Sequence, residues 1–132
     1  MSRVLKTSGF LGLSIQMLWG MGNTYLITPG GPSLPSWVGA PHAYFGTFGI
    51  LAIVLWFAVD RCDVSGARWT VITWVFIAGQ WLLPATILVA VGLSLGPLSV
   101  LEYVWGLLLF ISMALITLTV WTQSGRSGAA LG

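Results

Sequence analysis

The chain has 132 residues, of which 57% are hydrophobic and 6% are charged, and its net charge is +2. So few charged side chains cannot cover a water-soluble domain, in which about one residue in four is charged. The cations form no cluster that could follow a phosphate backbone, which excludes nucleic acid as a partner. The one cysteine, Cys62, excludes an internal disulfide. We therefore expect a protein whose main solvent is the lipid bilayer.

Four apolar segments follow one another along the chain, and each is long enough to cross about 30 Å of hydrocarbon. They cover residues 7–28, 41–59, 69–93 and 98–122. Proline, glycine and serine are concentrated between them, which is typical of turns. No ten-residue alternating segment indicates a membrane barrel. The sequence therefore predicts one domain, residues 1–132, of the all-α class: an integral membrane bundle of four transmembrane helices.

The basic residues predict the orientation of this bundle, because Lys and Arg are enriched on the cytoplasmic flanks of membrane helices. With four crossings they all fall on one side: Arg3, Lys6, Arg61, Arg68 and Arg126. Both termini are therefore expected in the cytoplasm, in a multi-pass protein of the cell (inner) membrane. The N-terminus also has the charge order of a signal peptide, but its long apolar segment and the lack of a small-residue cleavage site favour a retained helix.

The first apolar segment carries polar residues and glycines on nearly one face. This stripe consists of Gly12, Gln16, Gly20 and Asn23. Polar side chains inside a bilayer are costly, so each predicts a partner, a cavity or a ligand. Small residues and amides in this pattern favour close helix packing with hydrogen bonds across the interface. The alternative is that Asn23, in the outer half, belongs to a binding site.

The second apolar segment opens with the only histidine of the chain. His42, Gly46 and Gly49 lie at positions i, i+4 and i+7, so the imidazole stands at one end of a strip without side chains. A flat ligand fits such a strip, and neutral imidazole is a good ligand for iron. The alternative is a histidine near the interface that faces water or bonds a loop carbonyl.

The third segment places Gln80 near the middle of the membrane and Pro84 one turn later. Proline cannot donate to the carbonyl of residue 80, so we expect a bend at this turn. A bend beside a buried amide favours a cavity. Alternatively, Gln80 bonds the freed carbonyl or a neighbouring helix.

Glu102 lies near the start of the fourth segment, at an expected depth similar to that of His42. A carboxylate that bonds an imidazole fixes its tautomer, as beside many metal-bound histidines. Alternatively, Glu102 is a solvated residue that is stabilised by the N-terminus of its helix.

His42 at the start of the second of four helices, Gly49 seven residues later and the pair Gln80-Trp81 in the third helix resemble styrene oxide isomerase and the related hydroxylaminobenzene mutases. The resemblance implies an oligomer of small four-helix membrane proteins that bind haem b, with ferric iron acting as a Lewis acid on a small apolar substrate. It makes His42 the axial ligand and places Gln80 in the substrate pocket. Two positions depart from the family pattern: Phe48 and Gln80 stand where asparagine is usual, which implies a changed substrate or no chemistry.

The expected function is therefore that of a haem-dependent, isomerase-like membrane protein. Its expected site is formed by His42, Gly46, Gly49, Asn23, Gln80 and Glu102. The alternative is a non-catalytic accessory or structural subunit that buries the stripe of the first helix against a larger membrane complex. A transporter of a small uncharged solute is a third hypothesis, which the lack of an internal inverted repeat disfavours.

Overall fold

The computed structural model describes residues 2–27, 29–30, 35–61 and 66–129. Four long helices account for nearly all of them, so the prediction of an all-α chain is confirmed. They are α1 (Ser2–Ile27), α2 (Ser36–Arg61), α3 (Ala67–Gly92) and α4 (Val100–Ala129), and a short 3-10 turn (Gly96–Ser99) precedes α4. Cys62 lies outside the described residues, as does the side chain of Arg126.

Three helical segments are long and apolar enough to cross a membrane. They are Trp37–Arg61, Ala67–Gly92 and Gly96–Thr119. With 26 residues, α1 is as long as α2 and α3, and at 1.5 Å per residue it extends about 39 Å. It is not among the three, although its length allows a crossing, because polar residues such as Lys6, Ser14 and Gln16 lower its hydropathy.

The helix α2 begins five residues earlier than predicted. Its first residue is Ser36 rather than Pro41, and Pro41 lies inside the helix with a fully buried side chain. A proline removes one helical hydrogen bond, here to the carbonyl of Trp37, yet α2 continues through Pro41. Likewise α3 runs through Pro84 without interruption.

The helices pack mainly in chain order, α1 on α2, α2 on α3 and α3 on α4, with a smaller contact between α1 and α3. The core centres on α3, where Phe76 and Gln80 are completely buried. Large apolar side chains cover the outside instead: Met17, Met21 and Trp121 are each at least 70% exposed. Such an outer surface is suited to lipid rather than to water.

Neighbouring helices run antiparallel. Gly9 of α1 lies against Gly49 of α2, and Gly20 lies against His42 near the other end. The starts of α1 and α3 and the end of α2 therefore meet at one end of the bundle. We call this the basic end, because it carries Arg3, Lys6, Arg61 and Arg68. His42, in the second turn of α2, and Glu102, in the first turn of α4, lie toward the opposite end.

Candidate functional site

His42 faces α1 from the second turn of α2. Its Cε1 lies 3.5 Å from the point where a Cβ on Gly20 would stand, and its ring centroid is 6.4 Å from that of Trp19. Its Nδ1 is buried and has no hydrogen-bond partner. A buried polar atom without a partner is unfavourable by a few kcal/mol in an apolar environment, so this nitrogen is a candidate for ligand binding, as is Oε1 of Glu102.

The two glycines that continue from His42 are covered by α1. A Cβ on Gly46 would overlap the carboxamide of Gln16, and a Cβ on Gly49 would lie 3.0 Å from the carbonyl oxygen of Gly9. A porphyrin therefore does not fit against this strip while α1 is in place. The contacts of Gly46 and Gly49 support close packing of α1 on α2, and the haem-binding role that the resemblance implies for them finds no support in these contacts.

The stripe of α1 is therefore part of a helix interface. Gly12 lies against the carbonyl of Phe45 in α2 and the amide of Gln80 in α3, Gln16 lies on Gly46, and Gly20 lies on His42. The packing interpretation of this stripe accounts for its first three members. Asn23, one turn beyond Gly20, is half-buried in the last part of α1, toward the end of the bundle that holds His42.

Gln80 is completely buried and is bonded to α1 at both ends of its amide. Its Oε1 accepts a hydrogen bond from Ser8 Oγ at 3.0 Å, and its Nε2 donates to the Ser8 carbonyl at 3.1 Å. The alternative in which Gln80 bonds a neighbouring helix is therefore the arrangement observed. Gln80 approaches α1 near Ser8 and Gly12, whereas His42 approaches it near Gly20, about 12 Å further along α1. The structure does not bring these two predicted site residues together.

Glu102 and His42 do not pair. Glu102 Oε1 is buried without a hydrogen-bond partner, as is His42 Nδ1. The reason lies in the packing order, since α4 packs mainly on α3 whereas His42 faces α1. Among the described residues, no group of three His, Cys, Asp or Glu side chains could hold a metal ion.

The sequence did not indicate which residues connect the Ser8–Gln80 contact with the surroundings of His42. Trp81 Nε1 donates to Ser8 Oγ at 2.9 Å, and its ring centroid is 5.7 Å from that of Phe45. Phe45 in turn lies 6.0 Å from Trp19, which flanks His42. Ser8 had a detectable signal, because it lies one turn before Gly12 and continues the small-residue stripe. No pattern in the sequence indicated the aromatic contacts.

The chain belongs to the family described as Domain of unknown function (DUF8059), whose model matches residues 1–132. No curated protein and no solved structure matches it.

Proposed function

We propose that this member of the DUF8059 family is a four-span protein of the cell membrane, with both termini in the cytoplasm, that binds a ligand at His42. The fourth crossing is assigned to α1 because its contacts with α2 extend from Gly9 to Gly20, about 16 Å of the length of both helices. A helix so closely packed along a membrane span shares its depth. The cations of the basic end then face the cytoplasm, in agreement with the enrichment of Lys and Arg on that side of membranes.

The unpartnered Nδ1 of His42 is the observation that carries the ligand site. An ionisable side chain within a membrane bundle is rare and usually serves a binding or transfer step. Trp19 and Gly20 lie against the imidazole, so a ligand reaches the buried Nδ1 only when neighbouring side chains move. In the proposed homo-oligomer, a second copy of the chain covers the ligand.

The resemblance supplies haem b as the proposed ligand, and the imidazole of His42 would hold it. When bound, ferric haem supplies a Lewis acid for a small apolar substrate such as an epoxide. The chain contributes the imidazole, the apolar surroundings that exclude water, and Asn23, an amide one turn beyond Gly20 on α1. Gln80 is engaged with Ser8, so a role for it toward substrate requires those two bonds to open.

The absorption spectrum of the detergent-solubilised protein tests this proposal. Wild-type protein is expected to bind added haem with a Soret band, His42→Gly to lose that band, and free imidazole to restore it in the variant. Thr47→Ala, at an exposed position of the same helix, is the control and should leave the band unchanged. A wild-type protein that takes up no haem, or a band that persists unchanged in His42→Gly, would overturn the proposal.

A second candidate, a non-catalytic subunit of a larger membrane complex, is favoured by a different observation. Gln16, Gln80 and Ser8 are all engaged in packing between helices of this chain, which leaves few polar groups for chemistry. Purification from its native membrane in mild detergent separates the two. A pigmented homo-oligomer supports the first function, and stoichiometric recovery with a larger complex supports the second.

A further inference from the structure

A groove of about 380 Å³ lies between α1 and α3, near the basic end. This volume falls within the range of about 300–1,000 Å³ that is common for ligand sites. Its walls are mainly apolar and include Val4, Leu11, Ile77 and Trp81. From the first of these residues to the second, α1 rises about 10 Å, so the groove is elongated along the helix.

Two polar side chains in the wall of the groove, those of Ser8 and Trp81, are already hydrogen-bonded, and Thr7 adds one exposed hydroxyl. Ser8 Oγ donates to Gln80 Oε1 and accepts a hydrogen bond from Trp81 Nε1. These bonds leave neither the hydroxyl nor the indole N–H in need of a polar ligand. The groove therefore favours a hydrocarbon chain over a hydrogen-bonding solute.

Arg3 lies at the end of the groove nearest the start of α1. Its side chain is exposed and makes no ion pair or hydrogen bond with the part of the chain that the structure describes. Lys6, by contrast, is held over the ring of Trp56 with its Nζ 4.6 Å from the ring centroid. Arg3 is thus a cation at the mouth of an apolar groove.

We propose that this groove binds an anionic phospholipid, with an acyl chain between α1 and α3 and the phosphate at Arg3. Anionic lipids are enriched in the cytoplasmic leaflet, and basic pockets between membrane helices on that side bind their headgroups. A guanidinium matches a phosphate in geometry as well as in charge. The inference rests on the placement of α1 in the membrane and is independent of haem binding at His42.

Native mass spectrometry of the purified protein with phosphatidylglycerol or phosphatidylcholine tests the site. One cation near a membrane surface is worth about 1 kcal/mol, so Arg3→Gln should lower retention of phosphatidylglycerol about fivefold. Arg68→Gln, at an exposed cation of the same end outside the groove, should change it less than twofold. Leu11→Trp should fill the groove and lower retention of both lipids, whereas Leu18→Trp, at an exposed position of α1 outside the groove, should not.

A photoreactive benzophenone side chain at position 11 identifies the occupant directly. The expected product is an adduct of the chain with phosphatidylglycerol. An adduct with a second copy of the chain in place of lipid would overturn the proposal, as would equal losses in Arg3→Gln and Arg68→Gln. Equal retention of the two lipids by wild-type protein would also overturn it.

Discussion

Ser8 and Gln80 exchange two hydrogen bonds across the contact between α1 and α3. Ser8 Oγ donates to Gln80 Oε1 at 3.0 Å, and Gln80 Nε2 donates to the Ser8 carbonyl at 3.1 Å. The two side chains are 8% and 0% exposed. A hydrogen bond in an apolar interior is strong because no water competes for the donor or the acceptor. This pair therefore holds α1 against the central helix of the protein.

Replacing Gln80 by leucine should destabilise the fold by about 1–2 kcal/mol. Both bonds to Ser8 are lost, and its buried hydroxyl loses its acceptor. The measurement is loss of helical circular dichroism as sodium dodecyl sulfate is added. Ser14→Ala is the control, since Ser14 bonds only the Phe10 carbonyl of its own helix at an exposed site. Equal midpoints for the two variants would contradict a holding role for Gln80.

Alanine at Gly9 should destabilise the α1–α2 interface by about 1–3 kcal/mol. The added Cβ would lie 2.8 Å from the backbone oxygen of Gly49, so the helices must move apart. Gly22→Ala, in the same helix, meets nothing within 4 Å and should be neutral or stabilise by up to about 1 kcal/mol. The sodium dodecyl sulfate concentration at which helical circular dichroism is lost measures the stability of both variants. A Gly9→Ala variant as stable as wild type would show that the two helices are not in close contact.

Phenylalanine at Trp105 should weaken the packing of α4 on α3 by about 0.6–1 kcal/mol. Trp105 Nε1 donates to Thr86 Oγ1 at 3.1 Å, and phenylalanine keeps most of the ring but lacks this donor. The matched control is Trp121→Phe, because Trp121 is 80% exposed and makes no such bond with the described residues. In the sodium dodecyl sulfate titration, Trp105→Phe alone should lose its helical circular dichroism at a lower detergent concentration than wild type. An equal shift of the midpoint in both variants would argue against the Thr86 bond.

The helices were predictable from the sequence because long apolar segments can satisfy their backbone in lipid only by becoming helical. The start of α2 was not, because a proline usually marks a helix boundary whereas Pro41 lies inside α2. The concentration of Lys and Arg at the basic end was also predictable. It follows from the order of the apolar segments and the cations along the chain, and it does not depend on how each helix is rotated about its axis.

The site was less predictable, because it depends on which faces meet. The spacing of His42, Gly46 and Gly49 indicated a bare strip, but a ligand and another helix are equally able to cover it. In the structure it is the helix α1 that covers this strip. Gln80 and Ser8 are 72 residues apart, and no local pattern records which amide meets which hydroxyl. The amide of Gln80 in an apolar segment therefore predicted a partner without identifying it.

Cysteine labelling in intact cells tests most directly whether all four helices cross the membrane as one bundle. After Cys62→Ser, single cysteines are introduced as Arg3→Cys, Leu95→Cys and Arg126→Cys and exposed to a membrane-impermeant maleimide. Four crossings predict labelling from outside at position 95 alone, with positions 3 and 126 labelled only after permeabilisation. Labelling of position 3 from outside, with position 126 protected, would mean that α1 does not cross, and the depths inferred for His42 and for the groove at Arg3 would be wrong.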